Sequence, residues 1–516
     1  MLNEYCNFDR AMLPCSSNER LDWLIALIWP LLLIIGYIIA DLYLFHWFVI
    51  PIYFCGVLMS IDAIHWIRGK MDTFDPRGLV GLFGCNFFVL SPILAVYYRV
   101  DHVGEVFLDD FRPWMGGMAI LNLFGIMTYL IVERKISLKP KTIKKFWSEN
   151  IARSSLILPL ALFIIGLCHI YYTAKGGGIS AYMAKKTYGD RGALAGTVGL
   201  GPLFVIGRAL PIMLLITITA WFRKSGRKAG IVLVGITIFT FLVAQFLIVG
   251  FTGSRSSTMW ALFWAAGIIH FFWRPIPVKL VIISMVPLLL FLYLYGFYKE
   301  LGTKTFDLFT GRTSLESLEY ETKRTFARVL VGDMGRSDVQ AAILSIVTNP
   351  NRDYDFYYGK TYLTSAVSMI PRRIWPSKPD DAGKVIAGTD MFYGKGSYQS
   401  ERSLYVLGKR STHIYGLAGE AMLNFGVWGV IPAFAVWGYI VGTIRRRILN
   451  YSPGDMRLLI VPFWVLISFF LLIQDLDNFV EVSVFNLLIP GFIIWLISFK
   501  TYRQDNNVNN LTDQLY

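Results

Sequence analysis

Charge is what this sequence has least of. Asp, Glu, Lys and Arg make up 16% of its residues, against about 25% in an average soluble domain. A chain of 516 residues with so little charge is not a water-soluble globule. Paired cysteines are also missing. Cys6, Cys15, Cys55, Cys85 and Cys168 show no CxxC spacing, and three of them fall in apolar runs, so neither a disulfide framework nor a zinc site is expected. No P-loop, dinucleotide fingerprint or GxSxG occurs, which leaves ATP-driven chemistry without support. His46, His65, His169 and His270 have no HExxH or paired spacing and read as structural. No metal and no cofactor is expected. The first twenty residues hold Arg10 and Arg20 but no small-residue cleavage site after a short apolar core, so the first apolar run is expected to be a retained span rather than a cleaved signal. No internal repeat is visible, which disfavours a transporter built from inverted halves.

What is present is apolar. Hydrophobic residues reach 55% and aromatics 16%, and the apolar residues come in blocks of about 17–24, the length that crosses a bilayer core. The blocks are 24–40, 42–61, 79–97, 115–132, 156–172, 198–221, 231–249, 258–273, 280–297, 422–444, 458–473 and 479–498. Each must be a helix, because lipid gives its backbone no partner. The expected fold is an all-α, polytopic membrane bundle of about twelve transmembrane helices with a large outer loop containing short helices. It divides into an N-terminal bundle at 1–297, the outer loop region at 298–421, C-terminal transmembrane helices at 422–499 and a tail at 500–516.

The formal charge of +14 suggests nucleic acid at first sight, but most of the excess lies in short connections between apolar blocks, where topology requires it. Arg68, Lys70 and Arg77 lie in one; Arg134, Lys135, Lys139, Lys141, Lys144, Lys145 and Arg153 in another. Arg223, Lys224, Arg227 and Lys228 follow, then Arg274 and Lys279, then Arg445, Arg446, Arg447 and Arg457, and finally Lys500 and Arg503. If the spans alternate, all of these share one side, and the positive-inside rule makes it cytoplasmic, with both termini there. The expected location is the bacterial inner membrane. Asp101, Glu105, Asp109 and Asp110 give an opposite connection its acidic balance. One outer segment, 174–197, is short yet basic, with Lys175, Lys185, Lys186 and Arg191 beside Gly176, Gly177 and Gly178.

In the long outer stretch, 338–347 has a helical apolar rhythm in Val339, Ala342, Ile343 and Ile346, which predicts an amphipathic helix lying on the membrane or on the bundle. Residues 370–379 (IPRRIWPSKP) hold three prolines, Trp375, Arg372, Arg373 and Lys378. Such a segment reads as a rigid turn with an interfacial Trp anchor, and its cations would clamp a pyrophosphate or contact lipid head groups.

Arg208 lies inside an apolar block. A central arginine costs about 2.5–3.5 kcal/mol on insertion scales and normally faces a partner or a wet cavity. Its functional reading is an anion ligand near the outer surface; the alternative is snorkelling to the interface. Arg255 sits in the turn GFTGSRSS at 250–257. There glycines let a ligand approach, and hydroxyls and a helix N-terminus supply donors for an anion that a guanidinium grips bidentately. His413 is the natural general base near neutral pH, and Glu420, seven residues on, shares a helical face with it or serves as the base itself. Interfacial hydrogen bonding and helix capping are the structural alternatives. Asp475-Leu-Asp477, with Glu481 close by, resembles a metal-binding DxD, but its place in a short turn before the last block argues for turn and N-cap duty.

The layout, the Gly-Ser-Arg turn, the segment IPRRIWPSKP and the run GEAMLNFGVWG at 419–429 together resemble the O-antigen or oligosaccharide repeat-unit polymerases of the Wzy type, which are related to the O-antigen ligases. The resemblance implies transfer of a growing glycan from undecaprenyl pyrophosphate to a fresh lipid-linked repeat unit at the outer face. It implies pyrophosphate binding by Arg255, Arg372 and Arg373; the residues' own chemistry adds Arg208 and Lys378 to that set and His413 or Glu420 as the catalytic base. Lys185, Lys186 and Arg191 would contact glycan or phosphate. A chain-length regulator and a flippase would be partners, and no nucleic acid is expected. His413 also resembles a loop histidine of the ligases, although Ile414 follows it where they carry Asn. Some polymerases have an arginine near the last outer hairpin, where this chain has Asp475, Asp477 and Glu481. The competing readings are a transporter or flippase of lipid-linked sugars, which should carry charges in several spans, and a ligase-like glycosyltransferase.

Overall fold

The computed structural model describes residues 19–99, 110–138, 145–178, 199–224, 230–249, 255–322, 324–351, 354–370, 374–379, 383–397 and 413–502. The chain is mostly helical. In order the helices are α1 (Glu19–Ala40), α2 (Val49–Ile67), α3 (Pro76–Tyr97), α4 (Arg112–Ser137), α5 (Ile151–Lys175), α6 (Gly201–Lys224), α7 (Ile231–Ile248), α8 (Arg255–Phe272) and α9 (Val278–Leu301). Then come α10 (Leu315–Thr322), α11 (Ser337–Val347), α12 (Lys360–Val367), α13 (Gly383–Tyr393), α14 (Gly416–Phe425), α15 (Val430–Leu449), α16 (Val461–Ile473) and α17 (Leu476–Ile497). Among the described residues, nine segments are long and apolar enough to cross a membrane, α14 and α15 counting as one segment, Gly416–Leu449. The expected blocks at 231–249, 258–273 and 458–473 are also helical but shorter. Gly426 ends α14 with φ at +64°, which a residue with a Cβ rarely adopts, and breaks that long segment.

Local chemistry sets several boundaries. Asp75 accepts from the Arg77 N–H, and Pro76 occupies the first helical turn, so α3 starts three residues earlier than the apolar block at 79–97. The second span corrects the reading of 42–61. Asp41 accepts from the Tyr43 N–H and holds Leu42–Leu44 as a 3-10 turn, and the helix begins at Val49. The chain therefore makes a real connection between α1 and α2.

Burial of the helices is graded. In α2 and α3 67% and 72% of the most apolar window is buried, whereas in α1 and α17 only 17% is. The outward faces of the peripheral helices are large and apolar, including Leu32, Ile39, Leu156, Phe163, Ile283 and Val286. Apolar surface of that extent on neighbouring helices is a surface made for hydrocarbon. Inside, α4 and α15 form the most extensive helix pair. Tyr129 stacks on Trp437 at 4.1 Å between centroids, and Trp437 donates to Ser468 O at 2.6 Å. Gly438 and Gly442 lie one turn apart, and a Cβ on either would come within 2.7 and 2.9 Å of the Tyr129 and Glu133 carbonyl oxygens. Small residues at that spacing let two backbones touch.

The basic connections gather at one end of the bundle. Asp22 is fully buried and pairs with Arg68, Lys70 and His65. Arg77 bonds Asp62 at 2.9 Å and Arg445 bonds Asp75 at 3.0 Å, and both guanidinium groups lie within 4 Å of the fully buried Glu133. At the same end β1 (Lys145–Glu149) pairs antiparallel with β2 (Ser498–Tyr502), with Trp147 opposite Lys500. The backbone of Trp147 also reaches Asp455, which pairs with Arg457. The described chain thus begins and ends at this end. Asp62, Glu133, Arg77 and Arg445 thus place charge in the spans besides Arg208, as ion pairs close to the helix ends.

The helix expected at 338–347 forms as α11, but it does not lie on a surface. Every residue from Ser337 to Ile346 is buried, Asp338, Gln340 and Ser345 included. Ser337, the Gln340 amide nitrogen and Ser345, which a periodicity argument assigns to water, find protein partners instead. Ser337 Oγ meets Ser91 Oγ at 3.0 Å, Gln340 donates to Tyr415 O at 3.0 Å, and Ser345 donates to Ala342 O. α11 packs against α4 and α14 as part of the core.

Candidate functional site

At the end of the bundle opposite the basic connections, α14 and α17 start side by side, and each lacks partners for its first N–H groups. Acidic side chains supply them across the pair. Asp475 is the residue before α17, yet it does not cap its own helix. Its Oδ1 accepts from the Tyr415 and Gly416 N–H groups at 2.8 Å each, at the start of α14. Glu420, on α14, accepts from the Leu476 N–H at 2.7 Å, at the start of α17. The expected N-cap duty of Asp475 is real, but it acts on the neighbouring helix.

The rest of the junction closes around these carboxylates. Thr361, at the start of α12, donates to Glu420 Oε1 at 3.0 Å, and Asn424 Nδ2 donates to Thr361 Oγ1 at 2.7 Å. Lys384 Nζ, on α13, lies 2.9 Å from both Asp475 and Asp477. Burial alone would depress the Lys384 ammonium, but the two carboxylates outweigh it and raise the group above the ordinary lysine range. Four helices meet here, and sequence reasoning named only Glu420 and the two aspartates. Thr361, Lys384 and Asn424 carry no local signal, since each is an ordinary helical polar residue until the fold brings them together.

Of the expected site residues, His413 is half-buried just before α14, with its ring 5.7 Å from that of Phe392. It sits two residues from the backbone N–H that Asp475 holds. Glu420 is 3% exposed, with both oxygens engaged as described. Lys378 is buried and donates to Ser368 O at 2.8 Å, which ties the Trp375 turn to the end of α12. Arg208 projects from the first turns of α6, where that span is broken at Ala209. Its guanidinium lies 5.7 and 5.4 Å from the ring centroids of Phe204 and Phe485 and donates to Ser257 Oγ, in the first turn of α8. The segment bearing Arg208 and the helix that Arg255 begins are therefore adjacent. Phe485 is nine residues beyond Leu476 on α17, about 13 Å along the helix. α17 thus links the capped junction at its start to Arg208 deeper in the bundle. The side chain of Arg255, and Lys185, Lys186, Arg191, Arg372 and Arg373, lie outside the described residues.

Beside the junction, the run Tyr354–Lys360 folds against the end of α14. Tyr357 and Tyr358 N–H groups donate to Leu423 O and Asn424 O, and the Gly359 N–H donates to Asn424 Oδ1. A cleft of about 190 Å³ opens here between aromatic rings and charged side chains. Among the described residues, no group of His, Cys, Asp and Glu is arranged to hold a metal ion. Comparison of the chain with family models, with curated proteins and with solved structures finds no match.

Proposed function

We propose that this chain is a membrane glycosyltransferase that polymerises undecaprenyl-pyrophosphate-linked oligosaccharide repeat units at the outer face of a bacterial plasma membrane. In this reading about twelve helices span the membrane, and the end bearing the basic connections, with both termini, is cytoplasmic by the positive-inside rule.

The observation that carries the reading is the contact between Arg208 and Ser257. It brings a cation inside one span to the N-terminal turn of another helix, between two aromatic rings. A helix N-terminus and a guanidinium there favour an anion, and a lipid-linked pyrophosphate has that chemistry. Arg255 lies two residues before Ser257, at the head of α8, and is assigned to the same anion, with Arg372, Arg373 and Lys378 as further phosphate ligands. Lys185, Lys186 and Arg191 contact glycan or phosphate.

The chemistry then balances as follows. A hydroxyl oxygen of the incoming repeat unit attacks the anomeric carbon of the growing glycan. The bond from that carbon to the pyrophosphate oxygen breaks, and its electron pair leaves on undecaprenyl pyrophosphate, whose charge the arginines stabilise. His413 takes the hydroxyl proton. Glu420, with both oxygens engaged and almost no exposure, acts as a positioning residue that fixes α14 beneath His413. A ligase-like enzyme would use the same steps with a different acceptor.

A flippase reading draws on the buried charges Asp62, Arg77, Glu133 and Arg445. These lie near the helix ends and pair with one another, whereas transporter sites sit near the midplane. The test is genetic. Cells lacking the chain should display envelope glycan of single repeat units, restored to full length by the wild type and not by Arg208→Ala. Full-length glycan without the chain would refute the proposal.

A further inference from the structure

We infer that the cleft formed by Tyr354–Lys360 and α13 is a subsite for one neutral or zwitterionic sugar ring of the glycan, an inference that rests on the glycosyl transfer proposed above. Three aromatic side chains line it, Tyr354, Phe356 and Tyr357. Asp355, Asp390, Lys360 and Lys395 complete the lining. A sugar ring has an apolar C–H face and an edge of hydroxyls. Aromatic rings take the face, while carboxylate oxygens and ammonium donors take the edge. The size is suited to a single ring: a cavity of about 150 Å³ accommodates benzene, and this cleft is about 190 Å³.

The charges argue against a phosphate. Two carboxylates balance two ammonium groups, and one pair is joined directly, Lys395 Nζ lying 2.5 Å from Asp355. An anion would meet as much repulsion as attraction. This separates the cleft from the Arg208 region, where the charge is positive.

The cleft is also preformed. Tyr354 OH donates to Leu423 O at 2.8 Å and Tyr357 OH to Asp390 at 3.0 Å. Burial, and then the Asp390 carboxylate, push the Tyr357 phenol up, so the hydroxyl stays protonated as a donor. Tyr358, which follows the lining residue Tyr357, has φ of +44° and its side chain stands 75% exposed, with its ring 6.3 Å from that of the lining residue Phe356. A tyrosine held in the left-handed region with most of its ring exposed is a strained residue, and strain of this kind accumulates at ligand clamps. The cleft is coupled to the junction through the chain: Lys360 lines it, and the next residue, Thr361, donates to Glu420.

The experiment uses the purified full chain in lipid nanodiscs. The probe is the repeat-unit oligosaccharide, released from its lipid by mild acid and labelled with a fluorophore, and anisotropy reads its binding. Wild type should bind saturably. Asp390→Asn and Tyr358→Gly should each weaken binding at least about tenfold, roughly the loss of one good contact. Tyr358→Gly should unfold at the same temperature or higher, because glycine relieves the strain. Excess inorganic pyrophosphate should not displace the probe. Equal affinity in wild type and both variants, displacement by pyrophosphate, or no binding by a wild type that does polymerise would each overturn the subsite. If wild type forms no polymer yet binds the probe and the variants do not, the subsite stands and the polymerase reading falls.

Discussion

Glu420 and Asp475 cap each other's helices. Glu420, on α14, takes the Leu476 N–H at the head of α17, while Asp475 takes the Tyr415 and Gly416 N–H groups at the head of α14. Losing an N-cap costs about 0.5–2 kcal/mol. Glu420→Ala and Asp475→Ala should therefore each destabilise the protein by about 1–2 kcal/mol in denaturation of the purified protein in detergent. The double variant should lose less than the sum, because both remove one junction. Strict additivity would mean that the two caps act independently.

Lys384 gives this junction a pH dependence. Its ammonium is raised above the ordinary lysine value of 10.5 by Asp475 and Asp477, against the opposing effect of burial. A group with a raised folded-state value stabilises fully below its unfolded value and loses that contribution as pH rises through the folded one. Thermal stability should thus fall more steeply above about pH 10.5 in wild type than in Lys384→Met. Parallel curves would show that the ion pair contributes nothing to folding.

Arg208→Ala should leave the protein inserted and lower polymer formation by about 10–100-fold, the loss of one charge-assisted contact of roughly 1.5–3 kcal/mol. Arg208→Lys should recover only part of this, since an ammonium lacks the bidentate fork. Arg255→Ala should behave alike. Normal polymer length in either alanine variant would remove it from the phosphate site.

His413→Ala should lower the rate of chain growth by about 10²–10⁴-fold, the usual contribution of a general base, with folding unchanged. Glu420→Gln retains an acceptor for the Leu476 N–H and should keep most of the activity. The reverse pattern, with Glu420→Gln inactive and His413→Ala active, would move the base to Glu420.

The spans were legible in the sequence because a lipid-facing backbone has one solution, and each apolar run of adequate length is a helix. Their ends were less so. Val49 opens α2 because Asp41 holds the preceding residues in a turn, which hydrophobicity alone does not encode. α11 was legible as a helix and illegible as core, since Ser337 and Gln340 find partners in Ser91 and Tyr415, which lie far away in the chain. Likewise Asp475 announces a cap, but only the packing of α14 against α17 decides which helix it serves. Arg208 stood out because charge in a span is conspicuous, while its nearness to Ser257 depends on how α6 and α8 pack. The aromatic run Tyr354–Lys360 is visible in the sequence, but its cleft exists only because Leu423 and Asn424 hold that run's backbone.

The most direct measurement places the purified protein in lipid vesicles with its undecaprenyl-pyrophosphate-linked repeat unit, without ATP or nucleotide sugar, and resolves the glycans on a gel. The account predicts a ladder spaced by one repeat unit, lost in Arg208→Ala. Movement of the lipid-linked unit between leaflets with no ladder would contradict it and make the chain a flippase.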